Sequence, residues 1–456
     1  MNFLKSHKTV LLFVLLILFS CGVKDSGNVK RPESTVVHPD WSYNKTVYEV
    51  NIRQFSESGT FKAFEQRLPE LKELGVGIVW LMPVHPIGEK SRKGSLGSYY
   101  SVRDYYKVNP EFGTEDDFKS LVNKIHELGM YVIIDWVANH TAWDNSLVDE
   151  HPDWFTRDEN NNLVSPVPDW SDVVDLNYEN KELWAYMTDA LKFWVLEYDV
   201  DGFRCDVAER VPLEFWEQAR AELEKIRPVF MLAEGENPDL QIAAFDMTYS
   251  WGIHHAMNKI AKGEDNAGIV NEYLKRESRE YPENAFRMRF TSNHDENSCN
   301  GTVFERLGEG AKAFAVLSAT IPGKPLLYSG QETGMDKRLE FFEKDPIEWK
   351  ESDFRPFYTK LFNLYQQNPA LYSGKYSKIK TDEDESVYIF IREQARNKIM
   401  VVLNLSEQRI KVNVKSDLLT DSYTELFSDV RVEYVSPHQF DLEPWAYRIF
   451  VKEQRD

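Results

Sequence analysis

Cysteine is the first shortage. Only three occur in 456 residues, so no disulfide framework is available and stability must come from a buried core. Positive charge is short as well. Lys and Arg number 54 against 74 Asp and Glu, a formal net charge of −20, which argues against nucleic acid or anionic lipid as a partner. Long apolar runs are missing too: Val10 to Phe19 is too short to span a bilayer. What is abundant is apolar and aromatic. Hydrophobic residues at 42% suffice for a sizeable core, and 12 Trp with 22 Tyr lean toward ligands that stack on rings. The length fits one large barrel with a smaller companion.

The N-terminus carries an address. Lys5 and Lys8 precede the apolar run, and Leu18-Phe19-Ser20-Cys21-Gly22 closes it. The pattern resembles a bacterial lipoprotein signal, which implies lipidation at Cys21; an ordinary secretory signal with an incidental cysteine is the alternative. Residues 1–20 are set aside as signal, and 21–40 read as a tether. The expected location is the cell envelope, with the membrane engaged only through the N-terminal lipid. Of the remaining cysteines, Cys205 reads as a buried apolar filler.

From Thr46 onward, apolar runs of strand length alternate with helical patterns, the sign of βαβ units around a parallel sheet. The expected strands are Val47–Ile52, Val76–Met82, Tyr131–Val137, Val200–Asp206, Val229–Ala233, Ala244–Thr248, Arg287–Ser292 and Pro325–Tyr328. Expected helices include Phe61–Leu74 and Thr114–Leu128, closed by Gly75 and Gly129, and Lys181–Glu197. These repeats predict an α/β fold, a closed (β/α)8 TIM barrel over residues 41–370. Residues 138–178 break the rhythm and read as an inserted functional loop. Residues 371–456 read as a C-terminal antiparallel β-sandwich, with strands at Val387–Ile391, Ile399–Asn404, Ile410–Val414 and Tyr447–Val451.

In such a barrel the chemistry lies at the C-terminal ends of the strands. Asp201-Gly202-Phe203-Arg204-Cys205-Asp206-Val207 reads as a buried strand whose alternation puts Arg204 and Asp206 on one face. A buried charge needs a partner. Arg204 would hold Asp206 ionised, either as a nucleophile or as half of a structural salt bridge. The third strand ends in Asp135-Trp136-Val137-Ala138-Asn139-His140, the fifth in Ala233-Glu234-Gly235-Glu236-Asn237, and the seventh in Asn293-His294-Asp295-Glu296-Asn297. Carboxylates on neighbouring strands, with a third across the mouth, suit glycoside hydrolysis. One attacks the anomeric carbon; another protonates the leaving oxygen and later activates water. Adjacent strands would hold these two about 5 Å apart, the spacing of the retaining mechanism. For His140 and His294 taken alone, a satisfied structural role is the plainer reading.

The stretches DWVANHT (135–141), DGFRCDVA (201–208), AEGEN (233–237) and TSNHDEN (291–297), joined by VVDLN (173–177) and SYYSVRDYYKVNPEFGT (98–114), resemble the α-amylase family of retaining glycoside hydrolases. The resemblance covers essentially residues 40–456. It implies Asp206 as nucleophile, Glu234 as general acid/base and Asp295 as stabiliser of the distorted sugar, with Arg204, His140, His294 and Tyr100 against the sugar at the cleavage subsite. It implies an α-glucan substrate, a starch-like polymer or a maltooligosaccharide cut at α-1,4 bonds, and no organic cofactor. Calcium is common in the family beside the third loop, and Asn139 and Asp175 match its ligand positions, with oxygen donors suited to a hard cation; a loop cap and an ordinary ion pair are the alternatives. There are departures. Glu236 stands where an aromatic is frequent, Glu209 and Arg210 where Lys-His is frequent, and Val207 resembles members that accept α-1,6 bonds. Neopullulanase- or cyclomaltodextrinase-like action, an α-1,6-acting glucosidase or a transglycosylase is therefore the alternative, and a non-catalytic glycan-binding barrel a remote one. Trp143, Trp154 and Trp170 are sugar platforms or the small core of the inserted loop, Trp154 leaning to the latter.

Overall fold

The computed structural model describes residues 31–452, so Cys21 and the signal-like segment lie outside the described residues. Along the chain come β1 (Val47–Val50), β2 (Ile78–Leu81), β3 (Tyr131–Trp136), the hairpin strands β4 (His140–Ala142) and β5 (Val173–Asp175), then β6 (Gly202–Cys205), β7 (Phe230–Ala233), β8 (Met247–Tyr249), β9 (Phe286–Arg289) and β10 (Lys324–Tyr328). All but the hairpin pair in parallel and close into a barrel in the order β1-β10-β9-β8-β7-β6-β3-β2. This is the (β/α)8 barrel expected from the repeats.

Alternation along these strands builds two apolar layers. Ile78, Trp80, Ile133, Phe230, Leu232, Met247 and Met288 fill the barrel. Val79, Leu81, Val132, Ile134, Phe203 and Met231 face the surrounding helices. The helix Glu115–Glu127 starts with a capping box of Thr114 and Asp117, and Lys181–Tyr198 starts with the Asn180 side chain accepting from Glu182 N. The expected helix Phe61–Leu74 is instead two, Phe61–Glu65 and Leu68–Leu74, because Pro69 has no N–H to continue the first and suits the opening turn of the second. The first strand ends at Val50 and not at Ile52: its pairing with β10 stops at Glu49 and Tyr328, and a helical turn begins at Ile52.

Beyond the barrel lie β11 (Lys375–Ile379), β12 (Val387–Gln394), β13 (Asn397–Asn404), β14 (Ile410–Val414), β15 (Asp421–Glu425), β16 (Arg431–Tyr434), β17 (His438–Leu442) and β18 (Tyr447–Lys452). They form a six-stranded antiparallel sheet, β11-β12-β13-β18-β15-β16, and the pair β14–β17. One face of β12 and β13 packs with β14 and β17 through Ile389, Val402, Val412 and Phe440. The other face, with Tyr388, Phe390 and Val401, belongs to the same core as the barrel helices. Buried Arg392 fastens that junction by donating to the carbonyls of Thr320, Leu371 and Gly374.

Candidate active site

Arg204 stands at the centre of the barrel mouth. Strand alternation points it inward from β6, where it has no exposure to solvent. Its Nη1 donates to Asp135 Oδ1 and to Asp206 Oδ1, both at 2.9 Å, and its Nη2 lies 3.0 Å from Glu234 Oε2. Its Nε donates to the Tyr249 hydroxyl, and the rings of Trp80, Tyr100 and Tyr249 surround the guanidinium. Three carboxyls, one in β3 and one each just past the ends of β6 and β7, therefore converge on one cation. Burial opposes a charge on Arg204, and Asp135 and Glu234 more than offset it, so it stays charged.

Burial also raises the carboxyls. It outweighs the guanidinium at Asp206, which moves up to about 6. The expected pairing with Arg204 is present and pulls this group down, but desolvation is the larger effect. Glu234 rises further, to about 7, because burial is joined by the charges of Asp206 and Asp295. Asp295 goes the other way. Burial would raise it, but His294, 3.2 Å away through Nε2, holds it below the ordinary value. His294 in turn bonds Glu49 through Nδ1 at 2.5 Å, and Tyr100 OH lies 2.8 Å from its Nε2. The two neighbouring carboxylates overcome burial and raise its pKa.

His140, the first residue of β4, brings Nε2 to 4.0 Å from Asp206 Oδ2. Asn139 donates its amide to Nδ1, which leaves the ring proton on Nε2, facing Asp206. Burial and nearby Arg210 push this histidine down to about 3, so it is neutral. Val207 adopts φ +36°, a rare conformation for a β-branched residue, and there its N–H donates to Glu234 Oε2 at 2.7 Å.

Tyr100, His140, Asp206, Glu234, His294 and Asp295 line one cavity of about 190 Å³. Tyr99 turns away into the core beneath Arg53. Trp170 also lines the cavity, 5.4 Å from the His140 ring, whereas Trp154 is buried in the inserted loop and stacked on His151. Trp143 ties that loop by donating to the Ser171 carbonyl. Glu236 faces elsewhere, accepting from Gly252 N and Arg287. Glu209 accepts from the backbone N–H groups of Glu236 and Asn237, and Arg210 lies over the Trp170 ring. Asn139 and Asp175 flank the β4–β5 hairpin, with Asp175 paired to His140 across it. They bring two of the six to eight oxygens that calcium takes, and among the described residues no group of three His, Cys, Asp or Glu could hold a metal.

Sequence reasoning left several residues without a role. Asp135 and Glu49 were legible as charges within apolar strands, a signal that asks for a buried partner. Lys93, Asp172, Phe341 and Phe342 also line the cavity; they come from loops with no periodic pattern.

The profile described as "Alpha amylase, catalytic domain" matches residues 36–397. The chain belongs to the α-amylase family of glycoside hydrolases. A second profile, the maltogenic amylase C-terminal domain, matches residues 377–449. A maltogenic alpha-amylase from Thermotoga neapolitana is similar in structure, with TM-score 0.84 and 33% identity, covering 91% of this chain and 100% of that one. Among curated proteins, alpha-amylase MalA of Haloarcula japonica is 27% identical over 410 residues, 84% of this chain, and the match spans 59% of MalA. A cyclomaltodextrinase from Geobacillus thermopakistaniensis is 24% identical over 389 residues, 79% of this chain and 64% of that protein.

Proposed function

We propose that this α-amylase family member is a retaining α-glucan hydrolase, acting on starch-like polysaccharides or maltooligosaccharides, with Asp206 as nucleophile and Glu234 as general acid/base. The observation that carries this reading is the single guanidinium of Arg204 spanning both carboxyls at 2.9 and 3.0 Å. One cation shared by two carboxyls keeps them as close neighbours, which favours the retaining spacing of about 5 Å over the wider inverting one. Their environments separate their duties. Asp206, the lower of the two, attacks the anomeric carbon as a carboxylate. Glu234, the higher, retains its proton, delivers it to the leaving oxygen and then takes one from water. Asp295 stays ionised beside His294 and opposes the positive charge that develops on the sugar ring. Tyr100, His140 and His294 shape the floor and hold the sugar.

The cyclomaltodextrinase and maltogenic relatives favour a cyclomaltodextrinase- or neopullulanase-like preference as much as an amylase-like one. A product profile on starch, pullulan and cyclodextrins separates these. The mechanism is tested by two removals. Asp206→Ala is expected to abolish turnover of every glucoside. Glu234→Ala is expected to keep part of the first step with a glucosyl fluoride, and added azide to rescue it with retained configuration. Rescue of Glu236→Ala, with Glu234→Ala behaving as wild type, would move the acid/base to Glu236. An inverted anomer from the wild type, read by NMR at early times, would overturn the mechanism.

A further inference from the structure

Two cavities meet at Glu234. The one described above holds Asp206; the other, lined by Glu209, Arg210, Glu236 and Trp251, shares with it only Val207 and Glu234. The inference rests on the roles proposed above. A general acid faces the leaving oxygen, so the departing part of the substrate occupies the second cavity. The glycone, which carries the non-reducing end, then fills the first.

The wall of that first cavity is knitted from three loops. Lys93, from the loop after β2, lies 3.5 Å from the Asp172 carboxylate of the inserted loop and donates to the Asp169 carbonyl. Its ammonium also sits 5.9 Å from the ring centre of Phe342, which follows β10. Two residues on, Ser95 N donates to Glu343 Oε1 at 2.7 Å and its hydroxyl to the other oxygen, while Leu96 N donates to the Phe342 carbonyl at 3.1 Å. Gly94, at φ +62°, lets the backbone press against Phe342; a Cβ there would meet Phe342 Cβ at 2.5 Å. Lys93 is about one-third exposed, so its ion pair adds little stability. Its effect is geometric. The cavity these loops wall, about 190 Å³ and open on its solvent side, is smaller than the roughly 300–1,000 Å³ of sites that take drug-sized ligands. A chain cut in its interior needs a groove open at both ends.

We propose that this brace of Lys93, Asp172, Ser95 and Glu343 closes the glycone end of the site, so that the enzyme takes only the non-reducing end of an α-glucan and releases a short product of fixed length. Lys93 and Asp172 then offer a donor and an acceptor to the terminal hydroxyls, which an interior sugar lacks.

The test compares two maltoheptaosides that differ only in an ethylidene group on the non-reducing terminal sugar, with early products separated by chromatography. The full chain is expected to shorten the free-ended substrate by one fixed increment and to cut the blocked one about 100-fold more slowly or worse. The double variant Lys93→Ala/Asp172→Ala is expected to raise the blocked-to-free ratio about tenfold; Lys93→Met, which keeps most of the stem, serves if the double variant does not fold. Equal rates on both substrates in the wild type, with products of mixed length from the start, overturn the proposal. A discriminating wild type whose variants keep the same ratio overturns the brace as its cause. Cleavage of neither substrate overturns the hydrolase reading itself, and the proposal with it.

Discussion

At the scale of single residues, Arg204 serves three carboxyls that all titrate near neutrality. A planar guanidinium presents separate donors to each, which a lysine ammonium at the same place would not. Turnover needs Asp206 ionised and Glu234 protonated, and these groups stand at about 6 and about 7. The kcat/KM profile on a short soluble glucoside is therefore expected to be a narrow bell with its maximum between those values. Stability carries the opposite mark. A carboxyl raised by folding binds its proton more tightly in the native state, so its contribution is full below the unfolded value and is lost as pH rises through the folded one. Glu234→Gln should thus raise the melting temperature clearly at pH 8 and hardly at pH 5, because only the ionised glutamate is costly to bury. An equal change at both pH values would count against a raised Glu234.

Among the elements, β6 shows why its glycine is needed. A Cβ on Gly202 would meet the Phe230 carbonyl of β7 at 1.9 Å, where the two strands pair through Gly202 and Phe230. Gly202→Ala is expected to cost about 3 kcal/mol or more, or to prevent folding, as read by urea denaturation. The barrel strands were legible because burial on both faces makes them apolar runs. In the β-domain, β11, β15, β16 and β17 went unread: they are short and mix polar with apolar residues, as in Asp-Ser-Tyr-Thr-Glu of β15. For the inserted loop we propose that calcium, held in part by Asn139 and Asp175, fastens it to the barrel without entering the chemistry. Added calcium is then expected to raise the melting temperature with its occupancy and leave kcat unchanged. A chelator that changes neither melting temperature nor activity removes the ion from the account.

For the whole molecule, barrel and β-domain share one continuous apolar core. We propose that the mature protein begins at a lipidated Cys21 in the cell envelope, from the short apolar run that ends in Leu18-Phe19-Ser20-Cys21. Cys21→Ser is expected to move the protein from the membrane to the soluble fraction. A wild type that is already soluble and begins at another residue ends the anchor idea. Local order along the chain determined the strand–helix rhythm, the barrel and the positions of Asp206 and Glu234 at strand ends, because burial period and the place of a charge in an apolar run are local properties; Asp295 lies beyond the end of β9, at the start of a helical turn. Only the tertiary structure decided that Arg204 joins three carboxyls, that Tyr100 and not Tyr99 floors the cavity, that Glu236 turns to Arg287, and that Lys93 reaches Asp172. Apart from the Arg204–Asp206 pair, which is local and was expected, these contacts join residues far apart along the chain, and their distances are set by barrel closure and loop packing, which no short window of sequence contains.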